Sequence, residues 1–336
     1  MDFWALTGLV FSFTYVNGFH DGGNVVATLI ASRAMSPRAA LVCASVVELA
    51  SPFAVLLIGA SVSSTVKSLV DEAAYTDPAA KHVAVTFIAA GIVAALAWNL
   101  ATWYFGLPAS SSHALVGGVV GSGLAAFGAG NIAWGFFLGK VVVMVFAAPL
   151  AGFLVGFAIL RGLFALTRNA SVRVNAFFRR AQWANMAFLA FNHSFNDSQK
   201  TIGIVMILLG IHAGHAEAAP PLWAIACSAT ALASGIMFGG FRIIRTVGTG
   251  IYRVRPIHSF ASQLASGAVI LTSSLAGAPV SSSQIVSSSV MGVGSAANYK
   301  SVRWSVAGRI LVSWLITIPL AGALGALLFA VFNLFA

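Results

Sequence analysis

The chain has 336 residues, of which 59% are hydrophobic and only 8% charged, with a mean hydropathy of +0.93. An ordinary soluble domain carries about 25% charged residues, so a water-soluble fold is excluded. With 33 Gly, 10 Pro and 25 Phe, the apolar content is broken by helix punctuators, the pattern of a polytopic membrane protein with bent or interrupted helices rather than of a single anchor. The net charge of +10 admits either a nucleic-acid partner or a topological role, and the position of each charge decides between them. Cys43 and Cys227 lie in apolar runs, form no metal pattern and read as small buried hydrophobes. The start, Met1-Asp2-Phe3-Trp4, lacks the basic stretch and cleavage site of a signal peptide, so the first apolar run is expected to remain in the mature protein.

In chain order, hydrophobic runs of the length that a ~30 Å hydrocarbon core demands fall near 3–30, 39–66, 83–105, 110–127 and 132–160, then near 183–209, 222–240, 258–277, 280–297 and 305–334. The expected fold is an all-α polytopic membrane protein of about ten transmembrane spans. The breaks near 31–38, 161–182, 241–257 and 298–309 contain 14 of the 18 basic residues and no acid. The alternate breaks hold Lys67, Asp71, Glu72, Asp77, Lys81 and Glu217, with Asp2 on the same side. By the positive-inside rule the arginine face is cytoplasmic, which predicts a multi-pass cell-membrane protein with both termini extracytoplasmic. Topology thus accounts for the net charge and leaves no case for a nucleic-acid partner. Lys140 and Lys200 are the two basic residues inside runs. The tryptophans mostly lie near run ends, as interfacial belts require, and receive no role in a site. His212, His215 and Glu217 share one outer loop, too sparse a set to assign as a metal site.

The Arg-rich segment 161–182 divides the chain into a first unit, 1–160, and a second, 183–336, with five spans in each. An odd number of spans per unit makes the two enter the membrane in opposite directions, and related units would form an inverted-topology repeat. They do share motifs. His20-Asp21-Gly22-Gly23-Asn24 in the first run of one unit corresponds to Asn196-Asp197-Ser198-Gln199-Lys200 in the first run of the other. Pro108-Ala109-Ser110-Ser111-Ser112-His113, opening the fourth run, corresponds to Pro279-Val280-Ser281-Ser282-Ser283-Gln284.

Asp21, Glu48 and Asp197 are the acids within runs. A carboxylate in hydrocarbon costs a few kcal/mol at least, so each intramembrane acid is either functional or paired structurally. Glu48 stands alone and reads as structural. Asp21 and Asp197 have neighbours that donate or accept, His20 and Asn24 beside one, Asn196 and Lys200 beside the other. Flanking Gly or Ser would let the helix unwind and free backbone carbonyls, giving broken or re-entrant helices at the motifs. Carboxylate, amide and freed carbonyl suit sodium or a proton carried on Asp, so Asp21, Asn24, Asp197, Asn196 and His20 form the expected cation-coupling set. Proline followed by three serines at a helix start aims N–H groups, hydroxyls and the positive end of the helix dipole at one point. Ser110, Ser111, Ser112, Ser281, Ser282 and Ser283 thus make two oxyanion cradles, to which Lys200 adds a cation unless it snorkels to a surface.

The motifs Asn17-Gly18-Phe19-His20-Asp21-Gly22-Gly23-Asn24, Ala31-Ser32-Arg33-Ala34-Met35-Ser36-Pro37 and Trp98-Asn99-Leu100 through Ser110-Ser111-Ser112-His113 resemble the short bacterial branch of the inorganic phosphate transporter family. Asn196-Asp197-Ser198-Gln199-Lys200-Thr201-Ile202-Gly203 and Ser288-Ser289-Val290-Met291-Gly292-Val293-Gly294 in the second half agree, and the resemblance spans essentially the whole chain. It implies a cation-coupled phosphate symporter with paired Asp and Ser motifs facing one another across the repeat axis, and a homodimer. Two departures stand out. The family usually has Thr-Ala where this chain has Gly22-Gly23, and Ser-Thr-Thr-His where it has Ser281-Ser282-Ser283-Gln284, which bears on proton handling and anion preference.

The predicted function is import of inorganic phosphate by H+ or Na+ symport through alternating access, with the lipid bilayer as partner and no cofactor, resident metal or enzyme activity. A sulfate permease of the same family is the alternative, and metal-complexed phosphate a variant substrate. Phosphate near neutral pH still has a proton to donate to Asp21 or Asp197, whereas sulfate has none, which favours phosphate. An intramembrane aspartyl hydrolase is a distant alternative, since two Asp can share a proton, but that chemistry needs no pair of serine cradles.

Overall fold

The computed structural model describes residues 2–171, 173–215 and 219–335, apart from the side chain of Phe241. Short polar side chains cap the starts of several helices, and Gly59, Gly128, Gly214 and Gly239 stand at helix ends. Asp2 caps α1 (Phe3–Ala31) by accepting from the Ala5 amide at 2.7 Å, and Ser36 with Pro37 at its first turn starts α2 (Pro37–Ala50). The chain then breaks into short pieces, α3 (Val55–Ile58), α4 (Ser61–Lys67) and α5 (Glu72–Thr76), before α6 (Lys81–Tyr104) and α7 (Ser111–Phe127). One turn, α8 (Trp134–Phe136), and a π-helical segment, Phe137–Val142, lead into α9 (Val143–Leu166). The second half runs α10 (Val174–Ala213), α11 (Leu222–Phe238), α12 (Phe241–Arg245), a π-helical segment Thr246–Gly250, α13 (Pro256–Leu275), α14 (Ser282–Asn298) and α15 (Trp304–Asn333). Among the described residues the one β pairing is an isolated bridge between Val70 and Ile132.

The fold is therefore all-helical. Four stretches, Pro37–Ile58, Pro78–Tyr104, Trp134–Leu166 and Trp304–Asn333, are long and apolar enough to cross a membrane, with a fifth if α11 and 242–250, bent by 62°, count as one span. The remaining expected runs coincide with helices, but α1, α10, α7 and α14 carry the polar motifs, α13 is rich in Ser, and α7 is short at 17 residues. Phe146, Leu150 and Leu154 on α9, and Leu311, Leu315 and Leu327 on α15, point outward and are exposed, a surface suited to hydrocarbon rather than water. The 161–182 segment is largely helical, with α9 and α10 extending into it from either side. Cys43 is half-buried and Cys227 exposed, so the expectation that both are buried fails on the outward face of α11.

Packing in the two halves is reciprocal. Helix α1 lies against α11 and α12 of the other half, and α10 lies against α2 and α4; α7 packs on α6 and α15, while α14 packs on α13 and α9. Glycines allow the closest of these approaches. A Cβ at Gly121 of α7 would stand 2.0 Å from the Gly322 carbonyl oxygen of α15, and one at Gly292, at the same register of α14, 2.0 Å from the Phe153 carbonyl oxygen of α9.

The expected breaks at the Asp motifs are absent, because both α1 and α10 continue unbroken through Asp21 and Asp197. The α1 glycines serve contact instead of unwinding. A Cβ on Gly18 would sit 2.2 Å from the Leu232 carbonyl oxygen, on Gly22 2.5 Å from Ile236, and on Gly23 2.6 Å from the Gly240 carbonyl oxygen. The breaks that do exist lie before the serine triplets. There Gly106 (φ +65°) and Gly277 (φ +70°) turn the chain, and the turns are tied down alike, Thr246 Oγ1 donating to the Gly106 carbonyl at 2.9 Å and Thr65 Oγ1 to the Gly277 carbonyl at 2.8 Å.

A Gly18→Ala variant is expected to lose about 1–3 kcal/mol through overpacking against α11, read as a lower thermal midpoint in detergent. Gly8→Ala, whose Cβ meets nothing within 4 Å, is expected to be neutral or slightly stabilising because Ala favours the helix.

Candidate functional site

Ser110 and Ser281 begin the two serine helices as N-caps, accepting from the amides of His113 at 3.1 Å and Gln284 at 3.3 Å. Each first hydroxyl oxygen thus serves its own helix, while the next two serines of each triplet stand in the first turn, where backbone N–H groups have no intrahelical partner. Both helix starts are buried; serines of both reach Asp21 on α1, and Ser112 of α7 meets Lys200 on α10.

Asp21 collects donors from both halves. Its Oδ2 accepts from Ser111 at 2.9 Å, and its Oδ1 accepts from Ser283 at 2.6 Å and Asn24 at 3.3 Å and lies 2.8 Å from His20 Nδ1. Asn24 also donates to Ser283 at 3.1 Å, and His20 Nε2 lies 3.3 Å from Thr102 Oγ1. Asp197 has a different shell. Lys200 donates to its Oδ1 at 2.5 Å and Asn17 to its Oδ2 at 3.2 Å, with His193 Nε2 3.5 Å from the same oxygen. Lys200 is buried and its three N–H donors meet Asp197, Ser112 at 2.5 Å and the Val280 carbonyl at 2.8 Å, so it does not snorkel. Ser112 donates onward to that carbonyl at 3.1 Å. Asn196 lies further out, donating to Ser274 at 2.7 Å and the Ala278 carbonyl at 3.4 Å, where it holds the end of α13.

The acidic and serine motifs of both halves therefore converge on one buried cluster. Asp21, His193 and Asp197 offer ligand atoms within 4.8 Å of one another, a set able to hold a cation. Unpaired buried oxygens on Asn17 and Asn24, whose amide nitrogens already meet Asp197 and Asp21, add to it, and such hard oxygen donors suit an alkali cation or, through a proton, an anion bearing O–H groups.

The sequence profile of the phosphate transporter family matches residues 17–173 and 163–325. The chain belongs to the phosphate transporter family. Among similar proteins, a probable low-affinity inorganic phosphate transporter of Mycobacterium leprae is 37% identical over 98% of this chain and 77% of its own length, and one of Bacillus subtilis is 33% identical over 96% and 95%. A solved structure, described as the sodium-dependent phosphate transporter, superposes with a TM-score of 0.86 over 100% of both chains at 22% identity, which establishes the shared fold. As the family and these relatives are transporters, the hydrolase alternative is set aside and the protein is not an enzyme.

Several residues of this family member take parts that the sequence did not signal. His193 is one of them: its Nδ1 lies 3.0 Å from Oε1 of Glu48, which is thereby paired as its structural reading expects, and its Nε2 lies 3.5 Å from Asp197. A local signal exists for the contact with Asp197, since His193 precedes it by one helical turn on the same face, but none exists for the contact with Glu48. Trp314, grouped with the interfacial belts, is buried at 2% exposure and donates to the Pro108 carbonyl at 2.9 Å, satisfying backbone freed by the break before α7. Gln284, standing where the family's histidine is expected, meets His113 of the other triplet at 3.4 Å and links the two helix tips. Lys140, the other basic residue inside a run, donates to the Ala276 carbonyl at 2.9 Å at the C-terminus of α13. Of the outer-loop set, Glu217 lies outside the described residues, and His212 packs on Phe3 with ring centroids 5.1 Å apart.

Replacing Trp314 by Phe keeps the ring but orphans the Pro108 carbonyl. The expected cost is about 1–3 kcal/mol, measured as a fall in thermal midpoint in detergent.

Proposed function

We propose that this protein imports inorganic phosphate by symport with sodium or protons, cycling between outward- and inward-facing states around the Asp–Ser cluster. The observation that carries this reading is electrostatic. Three buried carboxylates, Asp21, Glu48 and Asp197, stand against one buried ammonium, Lys200, and the His193 imidazole paired to Glu48, so with the acids ionised the carboxylates outnumber the cations even when His193 carries a proton. Buried charge of that kind requires neutralisation, and a dianionic or monoanionic phosphate enters only together with cations or protons. Coupling then follows from charge balance at the site.

In this reading Ser111, Ser112, Ser282 and Ser283, with the first-turn amides of α7 and α14, hold the phosphate oxygens. Ser110 and Ser281 fix the helix starts that aim them, and Lys200 adds positive potential. Asp21, Asn24, Asp197, Asn196 and His20 form the surroundings of the coupling cation. Phosphate is favoured over sulfate because the unpaired oxygens of Asn17 and Asn24 accept from its O–H, and sulfate has no proton to offer them. The sodium-dependent protein of the same fold makes sodium a natural coupling ion, and the proton its competitor.

The membrane arrangement that suits this role is a 5+5 inverted repeat of ten crossings, 1–160 and 183–336, with both termini outside. Its support is the reciprocal packing of α1 on α11 and α10 on α2, and of α7 on α15 and α14 on α9. Parallel ties at Gly106 and Gly277 add to it.

Purified protein in proteoliposomes is expected to take up labelled phosphate under an inward sodium or proton gradient, to stop when the gradient collapses, and to resist excess sulfate. Asp21→Asn is expected to lower that uptake at least tenfold. Folded protein that binds phosphate yet shows no gradient-driven uptake would overturn the symport reading; competition by sulfate would overturn the anion preference.

A further inference from the structure

Of the positions of matched register at which the two halves of the site differ, one places a lysine ammonium where the other half has an uncharged amide. Three positions after its aspartate, the first half has Asn24 and the second has Lys200. Their nitrogens hold equivalent places. Asn24 Nδ2 lies 3.3 Å from Asp21 Oδ1 and 3.1 Å from Ser283 of the opposite triplet. Lys200 Nζ lies 2.5 Å from Asp197 Oδ1 and 2.5 Å from Ser112, which occupies in α7 the position that Ser283 occupies in α14. Lys200 also reaches the Val280 carbonyl at 2.8 Å; Ala109 is the residue of the same register before α7.

Carboxylate, hydroxyl and backbone carbonyl are the oxygen ligands a hard monovalent cation takes, and here an ammonium fills that set. On the Asp21 side an amide brings no charge, and the Asn24 Oδ1, in a residue with no exposure, has no partner. We propose that Lys200 is a tethered counter-cation: it occupies permanently the place of one coupling cation at Asp197, so the mobile coupling cation binds on the Asp21 side, and one cation fewer moves per phosphate than two equivalent half-sites would carry.

The asymmetry extends to the serines. With Lys200 and Asn17 on Asp197, the hydroxyl of Ser282 has no partner, whereas its counterpart Ser111 donates to Asp21. All three N–H donors of Lys200 are engaged within the protein, which fits a fixed countercharge better than a direct phosphate ligand. Glu48 and His193 pair with each other at 3.0 Å and leave Asp21 as the carboxylate without a basic side chain other than His20.

This inference rests on the symport reading above, and its test separates the two. In proteoliposomes, the driving cation, sodium or proton, is titrated against initial phosphate uptake, and cation and phosphate fluxes are counted together. The native protein is expected to show a Hill coefficient near 1. Lys200→Asn, which gives both halves an amide at this position, is expected to raise it toward 2 and to add about one cation per phosphate, while Lys200→Arg keeps the native value. The reciprocal Asn24→Lys, which fills the remaining place, is expected to leave phosphate flux, at whatever rate the variant retains, independent of the cation gradient. A native Hill coefficient near 2 with two cations per phosphate overturns the proposal even if no variant folds. So does a Lys200→Asn protein whose phosphate KM rises while its cation stoichiometry is unchanged, the signature of a plain phosphate ligand. Absence of gradient-driven phosphate uptake by the native protein overturns the symport reading itself.

Discussion

The Asp21 carboxylate is the point on which the architecture turns. Ser111 and Ser283 come from helices at opposite ends of the sequence, and both donate to this one side chain. An ionised acid at the centre of a membrane protein is tolerated only where donors surround it. Supplying those donors requires two helix starts in the interior, and helix starts in the interior require breaks whose backbone groups are satisfied by something other than water. The capping serines, the threonine ties at Gly106 and Gly277, and the Trp314 indole on the Pro108 carbonyl each meet that demand. The peripheral contacts serve the acid in the middle.

The same constraint explains why α1 and α10 are continuous. A helix that unwinds at the aspartate would add unpaired carbonyls to a site already crowded with unpaired oxygens, and neighbouring side chains would have to satisfy them. Keeping the helix intact confines the ligand set to side chains and to the tips of α7 and α14. The glycines near Asp21 then bring α11 and α12 against α1 at backbone contact distance, which shuts the cluster off from lipid. Close approach through small residues is the usual means of helix association in a membrane, where no hydrophobic force drives the helices together.

Much of this was legible in the sequence. Run boundaries followed from apolar stretches and the polar breaks between them, so the starts expected near 39, 110 and 280 fall within about two residues of the helix starts at Pro37, Ser111 and Ser282. The convergence of Asp and Ser motifs was legible because it is written twice, and a repeated motif implies a repeated place. What escaped notice depends on contacts between distant segments. No local signal says that Glu48 faces His193, or that Trp314 faces a broken turn. The glycines of α1 were misread because Gly favours both unwinding and close packing, and the choice belongs to the neighbouring helix, here Leu232, Ile236 and Gly240.

Near-equivalence of the halves makes their difference informative. If two copies of one motif faced each other unchanged, the carboxylates would make equal demands, and equal mobile ions would have to meet them. Replacing an amide by an ammonium in one copy removes that equality with no change of backbone, because Lys and Asn both reach the aspartate one turn back on the same helix face. On the proposed symport reading, the substitution lowers the charge that must be imported before phosphate binds and places the remaining demand at Asp21, where serines from both halves already meet. A single side chain thereby converts a site with two similar cation positions into one with a fixed and a mobile charge, while the helices that build it keep their reciprocal packing.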